Sequence, residues 1–147
     1  MSIIEWDKRF ELGVKPFDDQ HKRLVELLNY LHDNINASGV THEDLGAVIV
    51  KLADYTTYHF AAEEKTMAHY EYPGLASHRE EHAKFCRMVA AFQNDFENNQ
   101  KDFSLNVLSF IGNWLFDHIL LTDTEYCKFI EHLATAPPKR TRSGALD

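Results

Sequence analysis

Nine histidines in a chain of 147 residues are the first chemical signal. Several of them continue apolar stripes of helical period. His21 lies three residues before Leu24, in line with Leu28 and Leu31. The series Val48, Leu52, Tyr55 leads to His59 and then to Glu63. The series through Phe85, Val89, Phe92 and Phe96 extends back to His82 and His78, and Ile111 and Leu115 lead to His118. Residues four apart on a helix share a face, so His78 with His82, and His59 with Glu63, can serve one centre. A lone His-x-x-x-His pair arises on many surface helices, and a lone core histidine is more often hydrogen-bonded than ligating. Four placements of this kind on four core stripes are harder to dismiss. Burying so many uncompensated polar groups costs several kcal/mol, a cost that metal coordination offsets.

The donor set narrows the metal. Zinc prefers four ligands, often with thiolates, whereas Cys86 and Cys127 stand apart from the histidines, and no His-Glu-x-x-His motif occurs. Imidazole with carboxylate suits iron. The carboxylate-rich di-iron pattern needs Glu-x-x-His on two helices, yet no histidine here has a glutamate three residues before it. The residues therefore point to a histidine-rich site for two metals.

Four elements must position these groups. Apolar periodicity predicts helices over about 18–37, 41–70, 75–98 and 102–133. Asn36 to Gly39 ends the first, Thr41 with Asp44 forms a capping box at the start of the second, and Tyr72-Pro73-Gly74 follows it. Long amphipathic helices with short connections predict an all-α protein, an up-down-up-down antiparallel four-helix bundle. Residues 1–17 read as an extended N-terminal arm packing Ile3, Ile4, Trp6 and Phe10 on the bundle. Residues 1–135 form one domain, and 136–147, with Pro137-Pro138 and several basic residues, read as a disordered tail.

Composition excludes other classes. The chain is 44% hydrophobic and 26% charged, with a formal net charge of -8. That balance is globular, and its sign disfavours nucleic acid and anionic membranes. No apolar run spans a bilayer, and the first ten residues lack the pattern of a signal peptide. Two cysteines in apolar helical patterns read as reduced core thiols in a cytoplasmic protein.

The segments Asp18-Asp19-Gln20-His21, His59-Phe60-Ala61-Ala62-Glu63-Glu64, His78-Arg79-Glu80-Glu81-His82 and Trp114-Leu115-Phe116-Asp117-His118-Ile119, followed by Asp123 and Tyr126, resemble those of the hemerythrin family, specifically its single-domain bacterial members. The resemblance covers about residues 3–133 and implies two non-haem iron ions. His78, His82 and His118 would hold one iron. His21 and His59 would hold the other and leave a position open. Glu63 and Asp123 would bridge the two, together with an oxo or hydroxo group. Dioxygen would bind at the open iron, drawing one electron from each. Leu115 is the residue implied to shield the oxygen, with Leu24 and Trp114 as further pocket-lining candidates; the leucines equally serve as core.

Two carboxylates and a hydroxide offset three of the four charges of two ferrous ions, so burial is tolerable. Reversible binding also requires a dry pocket. Helical spacing does not select Asp123: it lies five residues after His118, about 140° away on an ideal helix. Either a π-bulge or a sideways reach must bring it in. Glu64 is expected to face solvent, Asp18 to cap the first helix or hydrogen-bond a ligand histidine, and Glu81 and Asp117 are further candidates to hydrogen-bond ligand histidines. His32, His42, His69 and His132 read as surface residues. The implied function is reversible dioxygen binding for transport, storage or delivery by a non-enzymatic monomer. The alternatives are a sensor of oxygen, nitric oxide or redox state, a peroxide-consuming di-iron enzyme and an iron store.

Overall fold

A computed structural model describes residues 4–98 and 101–135. The four predicted helices are present: α1 (Lys15–Asn34), α2 (His42–His69), α3 (Leu75–Glu97) and a fourth that runs as α4 (Lys101–Asp117), a π-helical segment (His118–Asp123) and α5 (Thr124–Thr135). Helix α2 packs on α1 and α3, α3 packs on α4, and α4 returns to α1. The result is a closed four-helix bundle. Among the described residues no helix is long and apolar enough to cross a membrane.

The helix ends follow local chemistry. Helix α1 begins earlier than the stripe predicts because Pro16 suits the first helical turn, where its missing N–H is not needed. The capping box of α2 forms as expected: Asp44 N–H donates to Thr41 Oγ1 at 3.0 Å and Thr41 N–H donates to Asp44 Oδ2 at 3.3 Å. Helix α2 closes through Tyr72 N–H to the Met67 carbonyl and Glu71 N–H to the Ala68 carbonyl. This closure places Glu71 in the left-handed region at φ 54°, a position that glycine usually takes.

The predicted stripes of α1, α3 and α4 are the buried faces, with Leu24, Leu28, Phe85, Phe92, Leu108 and Ile111 all fully buried. On α2 the buried face is Leu45, Ile49, Leu52, Thr56 and His59. Val48 and Tyr55, expected on that stripe, flank it half-buried. The expectation of two core thiols also needs correction: Cys127 is buried but Cys86 is exposed, because it falls one step off the Phe85–Val89 line.

The arm packs on the bundle. Ile4 exchanges two hydrogen bonds with the Asn29 side chain, at 3.0 and 2.7 Å. Trp6 stacks on Phe10, whose buried ring meets Phe116 edge-on at 5.5 Å. The 3-10 turn Lys8–Phe10 contacts the π-helical segment. Ile3 and the proposed tail 136–147 lie outside the described residues.

Two apolar clusters fill the interior. The larger contains Leu24, Phe60, Phe85, Leu115 and Ile119. The smaller contains Phe17, Met67, Tyr126 and Cys127. Along α1 the order is Phe17, His21, Leu24; along the fourth helix it is Ile119, Asp123, Tyr126. The polar residues thus form a layer between two apolar plugs.

Candidate metal centre

All seven residues singled out from the sequence as metal-binding candidates meet in that layer. His21, Glu63 and Asp123 are 0% exposed, and the other four are no more than 3% exposed. Each helix contributes: His21 from α1, His59 and Glu63 from α2, His78 and His82 from α3, and His118 and Asp123 from the π-helical segment. The widened turn is what carries Asp123 onto the face of His118, and it selects the π-bulge among the two geometries open at the level of sequence. Thr124 Oγ1 donates to the Ile119 carbonyl five residues back, at 3.3 Å, within the same widened turn.

The histidines present Nε2 inward. Asp123 Oδ1 lies 2.9 Å from His78 Nε2 and 3.1 Å from His118 Nε2, and its Oδ2 lies 3.0 Å from His21 Nε2. Glu63 Oε1 lies 3.2 Å from His82 Nε2 and 3.4 Å from His59 Nε2, and its Oε2 lies 3.2 Å from His21 Nε2. Two sets have donor atoms within 4.8 Å of one another: Glu63, His78, His82, His118 and Asp123; and His21, His59, Glu63 and Asp123. Both carboxylates belong to both sets.

Hydrogen bonding leaves much of this cluster unsatisfied. Glu63 Oε1, both Asp123 oxygens and Nε2 of His78, His82 and His118 are buried with no aligned partner. Such groups are costly unless something else engages them. Two donors each about 2.1 Å from one metal, at right angles, stand about 3.0 Å apart. The separations above have that size, so the donor set fits metal ions better than it fits internal hydrogen bonds.

The titratable groups of the cluster shift one another strongly. Burial raises the carboxyl of Asp123, but His118, His21 and His78 more than reverse it and hold the group well below the usual range. Burial and the neighbouring Asp123 likewise raise Glu63, and His59, His21 and His82 outweigh them. Burial lowers His21 and His118, yet the two carboxylates bring His21 to about 9, and with Glu81 they bring His118 to about 10. His59 goes the other way, to about 4, because burial dominates. His21 and His118 are therefore held in their protonated forms beside the two carboxylates near neutral pH.

The surrounding shell is partly as expected. Glu81 Oε1 accepts from His118 Nδ1 at 3.0 Å and from Thr122 Oγ1 at 3.0 Å. Glu64, expected to face solvent, instead turns to α3: its Oε2 lies 2.8 Å from His82 Nδ1, and its Oε1 accepts from Arg79 Nε at 3.3 Å. Gln20 Oε1 lies 2.7 Å from His59 Nδ1, a contact signalled in the sequence only by the position of Gln20 beside His21. Asp18 meets no histidine; its carboxylate accepts from the backbone N–H groups of Leu12 and Gly13 and fastens the arm. Asp117 is exposed. Tyr126 donates to Glu63 Oε2 at 2.5 Å. Of the proposed pocket residues, Leu24 and Leu115 are buried one turn from His21 and His118. Trp114 stacks on His118 at 4.7 Å, at the end with three histidines. Of the histidines read as surface residues, His42, His69 and His132 are exposed and His32 is half-buried.

Comparison with known proteins places this geometry in a family. The Hemerythrin HHE cation binding domain family matches residues 12–130. A bacteriohemerythrin of Stenotrophomonas maltophilia is 33% identical over 126 residues, covering 86% of this chain and 80% of that protein. One of Clostridium acetobutylicum is 30% identical over 127 residues, covering 84% and 98%. The crystal structure of a wild-type hemerythrin superposes with a TM-score of 0.75 at 29% identity, covering 85% of this chain and 95% of that one. With the family model matched over most of its length and these relatives alongside, the chain belongs to the hemerythrin family.

Proposed function

We propose that the protein binds dioxygen reversibly at a non-haem di-iron centre, as a carrier, store or delivery protein and not as an enzyme. The observation that carries this reading is the unequal pair of donor sets joined by Glu63 and Asp123. In it, His78, His82 and His118 would hold one iron and His21 and His59 the other, with Glu63 and Asp123 belonging to both donor sets. The set with one histidine fewer is where a ligand enters. When bound, two irons would supply the redox chemistry that reversible dioxygen binding needs. The chain supplies position and dryness. Its imidazoles are aimed by Gln20, Glu64 and Glu81, and its buried Glu63 is anchored by Tyr126. Leu24 and Leu115, together with the plugs on either side, keep water from the layer, which reversibility requires. Two free thiols, Cys86 and Cys127, support a cytoplasmic setting, and the family match over 12–130 supports treating residues 1–135 as the working unit.

The test is an absorption spectrum of the reduced, iron-loaded protein before and after air, with metal analysis alongside. Two irons per chain and a visible band lost again under vacuum are the expected results. Irreversible oxidation would favour sensing or catalysis, and a single metal per chain would sink the di-iron reading.

A further inference from the structure

We propose that the two metal positions fill in a fixed order, the three-histidine position first, and that Glu64 and Glu81 are positioning residues that set this order. The proposal rests on the two-metal reading above and extends it to the chain's own residues outside the donor set.

The carriers are the outward nitrogens of the imidazoles. In the three-histidine set, His82 Nδ1 and His118 Nδ1 each meet a carboxylate, Glu64 Oε2 at 2.8 Å and Glu81 Oε1 at 3.0 Å. In the two-histidine set, His59 Nδ1 meets the neutral amide oxygen of Gln20 at 2.7 Å; His21 Nδ1, like His78 Nδ1 in the other set, is buried with no partner. An acceptor at Nδ1 fixes the tautomer that leaves Nε2 free to donate to a metal. A carboxylate acceptor does more: it draws the Nδ1 proton, makes Nε2 more basic, and places a negative charge two bonds beyond the ring. An amide fixes the tautomer only. One position therefore has three imidazoles, two of them backed by negative charge. The other has two, one of them backed by a dipole.

The two glutamates are not equivalent. Arg79 Nε stands 3.3 Å from Glu64 Oε1 and draws off part of its charge. Glu81 takes its second hydrogen bond from a neutral hydroxyl, that of Thr122, at 3.0 Å. Glu81 is therefore the stronger of the two. Removing one such partner typically weakens metal binding by about 10- to 100-fold.

The test is an anaerobic titration of the full metal-free chain with cobalt(II), followed by ligand-field absorption and calorimetry. The wild-type chain takes up two ions in two resolved steps. Glutamine keeps the acceptor and removes the charge, so Glu81→Gln weakens the first step by about tenfold or more and leaves the second in place, and Glu64→Gln does so to a smaller degree. Gln20→Glu tightens the second step and narrows the gap between them, a gain that a merely misfolded variant does not give. Arg79→Ala tightens the first. Two equal steps in the wild type would overturn the proposal, as would glutamine variants that weaken both steps alike or neither. Uptake of one cobalt or none would overturn the two-metal reading itself, which separates that failure from this one.

Discussion

Deleting Leu121 is expected to leave the metal-binding cluster intact. His118 and Asp123 are five residues apart, which on a regular α-helix turns their side chains about 140° from each other. The π-helical segment His118–Asp123 removes that angle by carrying one residue more than the turn would otherwise hold. With one residue deleted the separation becomes four, about 40° in rotation and about 6 Å along a regular helix. Both groups then share a face with no widening. Asp123 and Tyr126 keep their spacing, and Thr124 would reach a carbonyl four residues back, a bond that threonine commonly makes in helices. Leu121 is the residue to remove because it is 68% exposed, so almost no burial is lost. The deletion variant should therefore remain helical by circular dichroism and take up two metal ions per chain. Its affinity should stay within about tenfold of wild type, which is about 1.4 kcal/mol. Its metal-free midpoint should be unchanged or raised, at about 2–4 °C for each kcal/mol recovered from the irregular turn. A folded deletion variant that binds fewer than two ions would refute the reasoning, for it would show that the widened turn itself, and not the alignment it restores, holds the carboxylate.

Three other perturbations read different parts of the structure. Tyr126→Phe removes the hydroxyl donor at 2.5 Å from a fully buried carboxylate, and urea unfolding of the metal-free protein should show a loss of about 1.5–3 kcal/mol; no measurable loss would mean that this bond does not support Glu63. Glu71→Gly relieves the positive φ that closes α2 and should add about 1 kcal/mol, seen as a midpoint about 2–4 °C higher. Metal uptake should release protons, because His21 at about 9 and His118 at about 10 are protonated at neutral pH and a protonated imidazole cannot donate to a metal. The sign is set by those raised values: affinity rises with pH by up to about 100-fold per unit below pH 9 and levels off above both values. Calorimetry in two buffers of different ionisation enthalpy counts the protons, and finding none would contradict the protonated forms of His21 and His118.

The bundle and most of the cluster were legible because both obey one periodicity. A stripe such as Leu24, Leu28, Leu31 names the buried face, and His21 lies on its extension, so its inward direction followed from the leucines. Glu63 followed from His59 in the same way. Asp123 broke the rule, and spacing could only say that something irregular must bring it in; the widened turn is that irregularity. The surrounding shell was harder to see. Glu64 sits about 100° around the helix from Glu63, which on an isolated helix means solvent. In a bundle that direction lies over the neighbouring helix, where His82 waits. Gln20 and His59 are 39 residues apart, and nothing local in either stretch encodes the meeting of α1 with α2 that joins them. Val48 and Tyr55 show the same limit on a smaller scale: steps of three and four tolerate a face shifted by one residue, and only packing chose Ile49 and Thr56.

The polar layer also decides how the helices line up. Leucine and phenylalanine cores are forgiving, since sliding one helix by a turn, about 5.4 Å, sets Leu28 near where Leu24 was and keeps apolar against apolar. Glu63 and Asp123 forgive nothing of the kind. Each is 0% exposed and answers to imidazoles or a hydroxyl from other helices. A slipped arrangement would strand a buried charge, at a cost of about 3–5 kcal/mol, and so would be populated at a level lower by a factor of roughly a hundred or more. The groups that give the protein its chemistry thereby act as alignment marks, and among the many ways of stacking four greasy helices they leave one.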